Sequence, residues 1–267
     1  MSSTTFSSVS ALTQTSPGRF DANVNAQWTI GGKPNGGYLL AMLTRAGTTT
    51  GPHEDVIAAS ATYLSSPEPG PVTIQAEVLR AGRSASQVHA RMLQDGRPTI
   101  EALLTTSQLN LDTKPFWDSG LPEAGRPIGE CVPVPARMPD GTPVAIMDEV
   151  DARFDPDTLD FMAGHPSGRG ELRGWLALPE DEPFVPASLV YAVDAFPPAT
   201  LEIEPAGWVP TLELTVYVRA LPAPGPVQVL QKVQLIDAQR VDQVCYVWDS
   251  TGRLVAHGTQ LAGIRLG

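Results

Sequence analysis

The chain has 267 residues, of which 42% are hydrophobic and 18% charged, and 18 basic against 29 acidic residues give a formal net charge of -11. That is globular composition, and each half is long enough to bury a core of its own. The acidic balance speaks against nucleic acid or an anionic membrane as partner, since either calls for a basic surface.

The start, Met1-Ser2-Ser3-Thr4-Thr5, shows no basic segment followed by an apolar run, and no apolar stretch reaches spanning length. A cytoplasmic location with no membrane span is therefore expected. Asn35 is a good helix N-cap, and the segment after it, Gly36-Gly37-Tyr38-Leu39-Leu40-Ala41-Met42-Leu43, is apolar on nearly every side. Such a segment predicts a buried helix whose glycines permit close approach of another backbone. Val72–Val78 alternates as a half-buried strand, and Val88–Leu93 and Ile100–Leu109 follow with an Asp95-Gly96 hairpin turn between them. Residues 112–144 are rich in Pro and Gly without a sustained period, which reads as a long ordered connection. Beyond it, strands are expected at Val150–Phe154 and Glu171–Leu178. A second apolar helix is expected over Pro186–Phe196, stopped by Pro197-Pro198. Thr211–Val218 alternates with Leu212, Leu214, Val216 and Val218 on one face. Gln228–Ile236, Gln243–Asp249 and Leu254–Leu261 complete the set.

The two halves nearly repeat. Ser107-Gln108-Leu109 and Thr259-Gln260-Leu261 close them, and Pro69-Gly70-Pro71 and Pro224-Gly225-Pro226 stand at like places. An antiparallel sheet wrapped on one buried helix, twice over, predicts an α+β double hotdog. Its units are residues 1–111, the connection 112–144, and residues 145–267. Edge-to-edge pairing of the two sheets would hide strand edges, and the helices would lie side by side.

Asp194 carries the sharpest chemical signal. It falls in Ser188-Leu189-Val190-Tyr191-Ala192-Val193-Asp194-Ala195-Phe196, where a buried carboxylate costs several kcal/mol, roughly, unless it is paired or hydrogen-bonded. The aligned position of the first half is apolar, Met42 or Leu43 depending on where one gap falls. The plainer reading puts Asp194 at the helix end, facing water. Thr211 shares a polar strand face with Glu213, Thr215 and Tyr217, and Gln260 is matched by Gln108. Together Asp194, Thr211 and Gln260 form a set that can hold and deprotonate a water without a metal or cofactor. The helix start at Gly36 and Gly37 offers free N–H groups to a carbonyl oxygen. Arg80, Arg83, Arg91 and Arg97 stand against one acid, Asp95, so Arg80 and Arg83 read either as a phosphate site or as a solvated hairpin face. His53, His89, His165 and His257 have no ligand spacing, and Cys131 and Cys245 make neither a disulfide framework nor a zinc site.

Several segments resemble the acyl-CoA thioesterase II group, the duplicated hotdog thioesterases. They are Trp28-Thr29-Ile30-Gly31-Gly32, Pro34-Asn35-Gly36-Gly37-Tyr38, Leu79-Arg80-Ala81-Gly82-Arg83-Ser84, Gln94-Asp95-Gly96, Pro210-Thr211-Leu212-Glu213-Leu214-Thr215 and Asp249-Ser250-Thr251-Gly252-Arg253-Leu254-Val255-Ala256, ending in Gln260. The resemblance implies catalytic roles for Asp194, Thr211 and Gln260, and cofactor-free hydrolysis of an acyl-CoA to acid and CoA by direct attack of water. Gln260-Leu261-Ala262 stands where the family usually has Gln-Glu-Gly, and no Asp-His follows Thr211, so Thr215 is a second candidate for the hydroxyl. By analogy a homo-oligomer is expected. Two other readings are a non-catalytic acyl-CoA binding or sensing protein and, last, a hotdog dehydratase, which generally has a His about five residues after its Asp, whereas Asp194 is followed by Ala195-Phe196-Pro197-Pro198-Ala199.

Overall fold

The computed structural model of the chain describes residues 5–110, 115–138, 141–204, 207 and 209–266. Met1–Thr4 of the expected leaderless start, and the boundary between residues 111 and 112, lie outside the described residues.

The first half opens with α1 (Phe6–Val9), β1 (Thr13–Ser16), β2 (Arg19–Val24) and the short β3 (Thr29–Ile30) and β4 (Lys33–Pro34). Then come α2 (Gly36–Thr50), β5 (Asp55–Tyr63), β6 (Gly70–Arg80), β7 (Ser86–Gln94) and β8 (Arg97–Ser107). The second half has β9 (Val132–Pro133), β10 (Asp151–Phe154), β11 (Glu171–Ala177), α3 (Pro186–Ala192), β12 (Thr211–Val218), β13 (Val227–Asp237), β14 (Arg240–Trp248) and β15 (Leu254–Gly263). Asn35 caps α2 as its side chain predicts, accepting the Tyr38 N–H. α3 is shorter than the sequence suggests. It stops at Ala192 rather than Phe196: the N–H groups of Asp194 and Ala195 turn back three residues, to the carbonyls of Tyr191 and Ala192, and so close the chain into a tight turn. Residues 112–144 are not all connection: β9 pairs with β10 at the sheet edge.

Thirteen described strands form one sheet in the order β1-β2-β6-β7-β8-β5-β12-β15-β14-β13-β11-β10-β9. Reading outward from its centre, β5-β8-β7-β6-β2 is mirrored by β12-β15-β14-β13-β11. The halves therefore repeat, and they join edge to edge where β5 pairs with β12. Pairing hides two edges that would otherwise invite association. Register shifts recur at matching places: Val56/Ala58 with Thr211/Glu213, Val78/Arg80 with Val233/Leu235, and Met92/Leu93 with Val247/Trp248. Ser60 and Thr215 are equivalent by this register. They are also each other's partners, with hydroxyls 2.7 Å apart, so the internal two-fold passes between them.

Both helices pack on the same side of the sheet and against one another. Phe6, Trp28, Tyr38 and Tyr191 clamp them, with ring centroids 5.1–5.4 Å apart from Phe6 through Trp28 to Tyr191 and Tyr38. All four are fully buried, so the clamp is part of the main core. Among the described residues no helix is long and apolar enough to cross a membrane. Gly258 of β15 lets the chain after α3 lie directly on the sheet. A Cβ there would sit 2.6 Å from Val193 and 2.7 Å from the Thr215 carbonyl oxygen. Gly258→Ala is expected to cost about 1–3 kcal/mol in urea melts, and an unchanged midpoint would contradict this close packing.

Candidate active site

The turn after α3 delivers Asp194 to the amino end of α2. Its backbone N–H still bonds the Tyr191 carbonyl, so the turn is fixed although the helix has ended. Two glycines make the approach possible. A Cβ on Gly37 would lie 2.7 Å from the Asp194 Cβ, and one on Gly36 would lie 3.1 Å from Asp194 Oδ2 and 3.2 Å from the Tyr63 hydroxyl. The predicted close backbone approach at Gly36-Gly37 is thus real, and the neighbour is Asp194.

Each carboxylate oxygen receives a donor. Gly37 N–H donates to Oδ2 at 2.7 Å and Asn35 Nδ2 donates to it at 3.3 Å; Asn35 also reaches the Asp194 carbonyl at 2.8 Å. Gln260 Nε2 donates to Oδ1 at 3.1 Å and also to the Thr211 hydroxyl. Asp194, Thr211 and Gln260, named apart in the sequence, therefore form one cluster. Gly37 corrects its expected role: its N–H holds the carboxylate instead of facing a carbonyl oxygen. Gly36 N–H has no acceptor among the described residues. The positive end of α2 also favours an anion at this place.

Solvent reaches part of Asp194, but its carboxyl group sits among protein atoms. Burial pushes that carboxyl up from 3.8 to about 6, against the hydrogen bonds from Gly37, Gln260 and Asn35, which hold it down. A rise of this size is roughly 3 kcal/mol of preference for the protonated form. Desolvation therefore outweighs the donors. The result is a carboxyl that titrates near neutrality, as a general base requires.

A register shift explains why Thr211 belongs to this cluster and Thr215 does not. Between Thr211 and Glu213 the pairing with β15 slips, so strict alternation fails at Leu212. Leu214, Val216 and Val218 are buried as expected, but Leu212 is 38% exposed. The slip turns Thr211 toward Gln260 on the inner face. Thr215 faces outward, bonded to Ser60, in an open depression of about 370 Å³ with Glu213 and Thr259. It is not placed to replace Thr211.

The repeat register also corrects the sequence alignment. Gln108 lies past the end of β8 and is exposed, whereas Gln260 lies within β15. Pairing with β5 and β12 makes Leu104, not Gln108, the partner of Gln260 in the repeat, and makes Val56 the partner of Thr211. Aligned on their first residues, α2 and α3 set Thr44 against Asp194, rather than Met42 or Leu43. Thr44 is buried and bonds the Ala41 carbonyl of its own helix. The equivalent place in the first half is thus filled by Thr44, Val56 and Leu104 packed under α2, all buried.

Two polar residues of the site escaped the sequence. Tyr63, at the end of β5, donates to the Gly36 carbonyl at 2.8 Å and lies beside Asp194; burial first, and then the Asp194 charge, raise its phenol. Gln243, 2% exposed in β14, bonds both Ala199 N–H and Gln260. The register pairs Gln243 with Val88 and Tyr63 with Val218, so a comparison of the repeats was the signal that could have found them. Arg80 and Arg83 are not brought to Asp194. They are exposed beside His53 and Ser86, at the far end of nine-residue β5 from Tyr63, about 26 Å away at 3.3 Å per residue. Arg91 is paired with Glu101 at 3.3 Å. The hairpin equivalent to the Arg80 loop, with Arg240 behind its turn, lies at the Asp194 end of the sheet.

Known proteins resemble both halves of this chain. Residues 24–107 match a family model of the acyl-CoA thioesterase N-terminal domain, and residues 128–264 match one of the C-terminal domain. A Thermobifida fusca structure assigned to thioesterase II is 28% identical with a TM-score of 0.88, covering 98% of this chain and 97% of that one. A hotdog-fold protein of unknown function from Alicyclobacillus acidocaldarius is 20% identical with a TM-score of 0.83, covering 98% of each chain. An uncharacterized protein of Mycobacterium tuberculosis is 27% identical over 267 residues, covering 91% of this chain and 90% of its own length. The fold is that of the hotdog proteins.

The raised carboxyl predicts a pH dependence of stability. Because the folded value exceeds the unfolded one, the stabilising contribution of Asp194 is full below about 3.8 and is lost as pH rises through about 6. Relative to Asp194→Asn, the wild type should lose up to roughly 3 kcal/mol in denaturant melts between about pH 4 and pH 8. A difference independent of pH would show that the carboxyl is not raised.

Proposed function

The chain belongs to the acyl-CoA thioesterase family, and on that premise we propose that it hydrolyses the thioester of an acyl-CoA to a free carboxylic acid and CoA. In this reading the molecule is a double hotdog with one active site per chain, on the seam between the halves. The observation that carries it is the Asp194 carboxylate, buried, titrating near 6 and linked through Gln260 to Thr211.

The Thr211 hydroxyl accepts from Gln260, so its own proton is directed elsewhere and can hold a water. Asp194 takes a proton from that water as its oxygen attacks the thioester carbonyl carbon. The oxyanion that forms meets the Gly36 N–H at the positive end of α2, a kind of donor worth about 2.7–4 kcal/mol in a transition state. The intermediate then expels the CoA sulfur, and Asp194 returns its proton to the thiolate. Every atom of the products comes from the ester and one water, so no cofactor is needed. Asn35, Gly36, Gly37 and Tyr63 come from the first half, which makes the site incomplete without it.

For the CoA phosphates the reading rests on charge alone. Arg80 and Arg83 have no ion pair among the described residues. CoA would run the length of β5 to join them to the thioester. A cytoplasmic homo-oligomer acting in lipid metabolism fits this reading.

The test is hydrolysis of a panel of acyl-CoA esters. Asp194→Asn should lower kcat by about 100-fold or more, while Thr215→Ala should stay close to wild type. The wild-type kcat/KM should fall as pH drops below about 6. Equal rates for wild type and Asp194→Asn would remove Asp194 from the mechanism. Tight acyl-CoA binding with no free thiol released would replace the hydrolase with a binding protein.

A further inference from the structure

We propose that Gln243 is a positioning residue that keeps the Gln260 amide turned with its NH2 toward Asp194 and Thr211, whichever protonation state Asp194 is in. The inference rests on the hydrolytic reading for its purpose but on geometry for its content.

The orientation is dictated from one end. Ala199 is fully buried, and its backbone N–H can only donate. Gln243 Oε1 accepts that N–H at 2.9 Å, so Gln243 must turn its NH2 the other way. There Nε2 meets Gln260 Oε1 at 3.3 Å. Gln260, directly opposite Gln243 across the β14–β15 ladder, then has only its own NH2 left for Asp194 Oδ1 and the Thr211 hydroxyl. Each amide fixes the next, because an acceptor must face a donor in a chain of hydrogen bonds that starts at the buried Ala199 N–H and runs through the half-buried Gln260.

An ionised Asp194 would hold Gln260 this way unaided, since two acceptors repel. A protonated Asp194 would not. Its O–H could donate to Gln260 Oε1, which would invite the amide to turn over and would favour the protonated state. It would also point the Gln260 carbonyl at Thr211. Gln243 blocks that turn, because a flipped Gln260 would set NH2 against NH2. The residue therefore favours the ionised base and keeps Thr211 free to donate to water. In the first half the same place is Val88, opposite Leu104, where there is no amide to orient.

The groups facing Asp194 from the packed elements are Tyr63 on β5, Tyr191 on α3 and Cys245 on β14, and burial pushes all three up. A midpoint near 6 therefore belongs to Asp194. The experiment is a carbon-13 NMR titration of aspartate-labelled full-length protein, with the Asp194 signal identified by its absence in Asp194→Asn. Two variants are compared with wild type: Gln243→Leu, and Gln243→Met, which keeps the length and shape of the side chain and guards against misfolding. The expected result is a rise of the Asp194 midpoint by about one pH unit in both, the scale of the one hydrogen bond that a protonated Asp194 gains once Gln260 is free to turn. The acid limb of kcat should move by the same amount while KM is unchanged. Midpoints equal to wild type in both folded variants would overturn the inference and leave Gln243 as packing. A shifted midpoint in a protein that hydrolyses no acyl-CoA would keep the positioning role and remove the hydrolytic reading.

Discussion

One hydrogen bond organises the molecule: the Gly37 N–H, from the first turn of the first-half helix, given to the carboxylate of Asp194 in the second half. It needs a backbone with no side chain in the way, which is why two glycines open an otherwise apolar helix. It needs a turn fixed after a short helix, which the Asp194 N–H supplies by bonding the Tyr191 carbonyl. It also needs the two halves held in register, which the β5–β12 ladder and the Phe6–Trp28–Tyr38–Tyr191 clamp supply. The same bond works against the burial that pushes this carboxyl up.

The duplication has been used asymmetrically. Asp194, Thr211, Gln243 and Gln260 face Thr44, Val56, Val88 and Leu104 in the repeat, and the latter are core residues. Leu104 fills its place closely enough that a Cβ on Gly47 of α2 would come within 2.3 Å of it. Packing one copy as apolar core stabilises the domain, and leaving the other polar costs stability where chemistry is wanted. The two demands conflict within a single copy of the fold but not between two.

Much of this was legible in the chain. Alternation located most strands, Asn35 marked the start of α2, and a lone acid in an apolar segment pointed to Asp194. What was not legible depended on register. Period-two reading placed Thr211 with Thr215, because no residue type announces a slip at Leu212. Matching Ser107-Gln108-Leu109 to Thr259-Gln260-Leu261 aligned a residue inside a strand with one beyond a strand's end. Only the pairing of strands shows that Gln260 answers to Leu104, and that Gln243 and Tyr63 complete the site. The Arg80 loop reads from sequence either as a phosphate site or as a solvated hairpin face, and sequence could not say that it lies at the far end of β5 from Tyr63.

The central claim is that Asp194, with both oxygens held by donors, works on water and does not itself attack the ester. Rapid-quench kinetics with enzyme at a concentration comparable to the acyl-CoA test this most directly. CoA thiol and free acid are expected to appear together, with one rate constant and no early excess of thiol. A burst of thiol equal to the enzyme concentration, ahead of the acid, would mean an acyl-enzyme and would contradict the account.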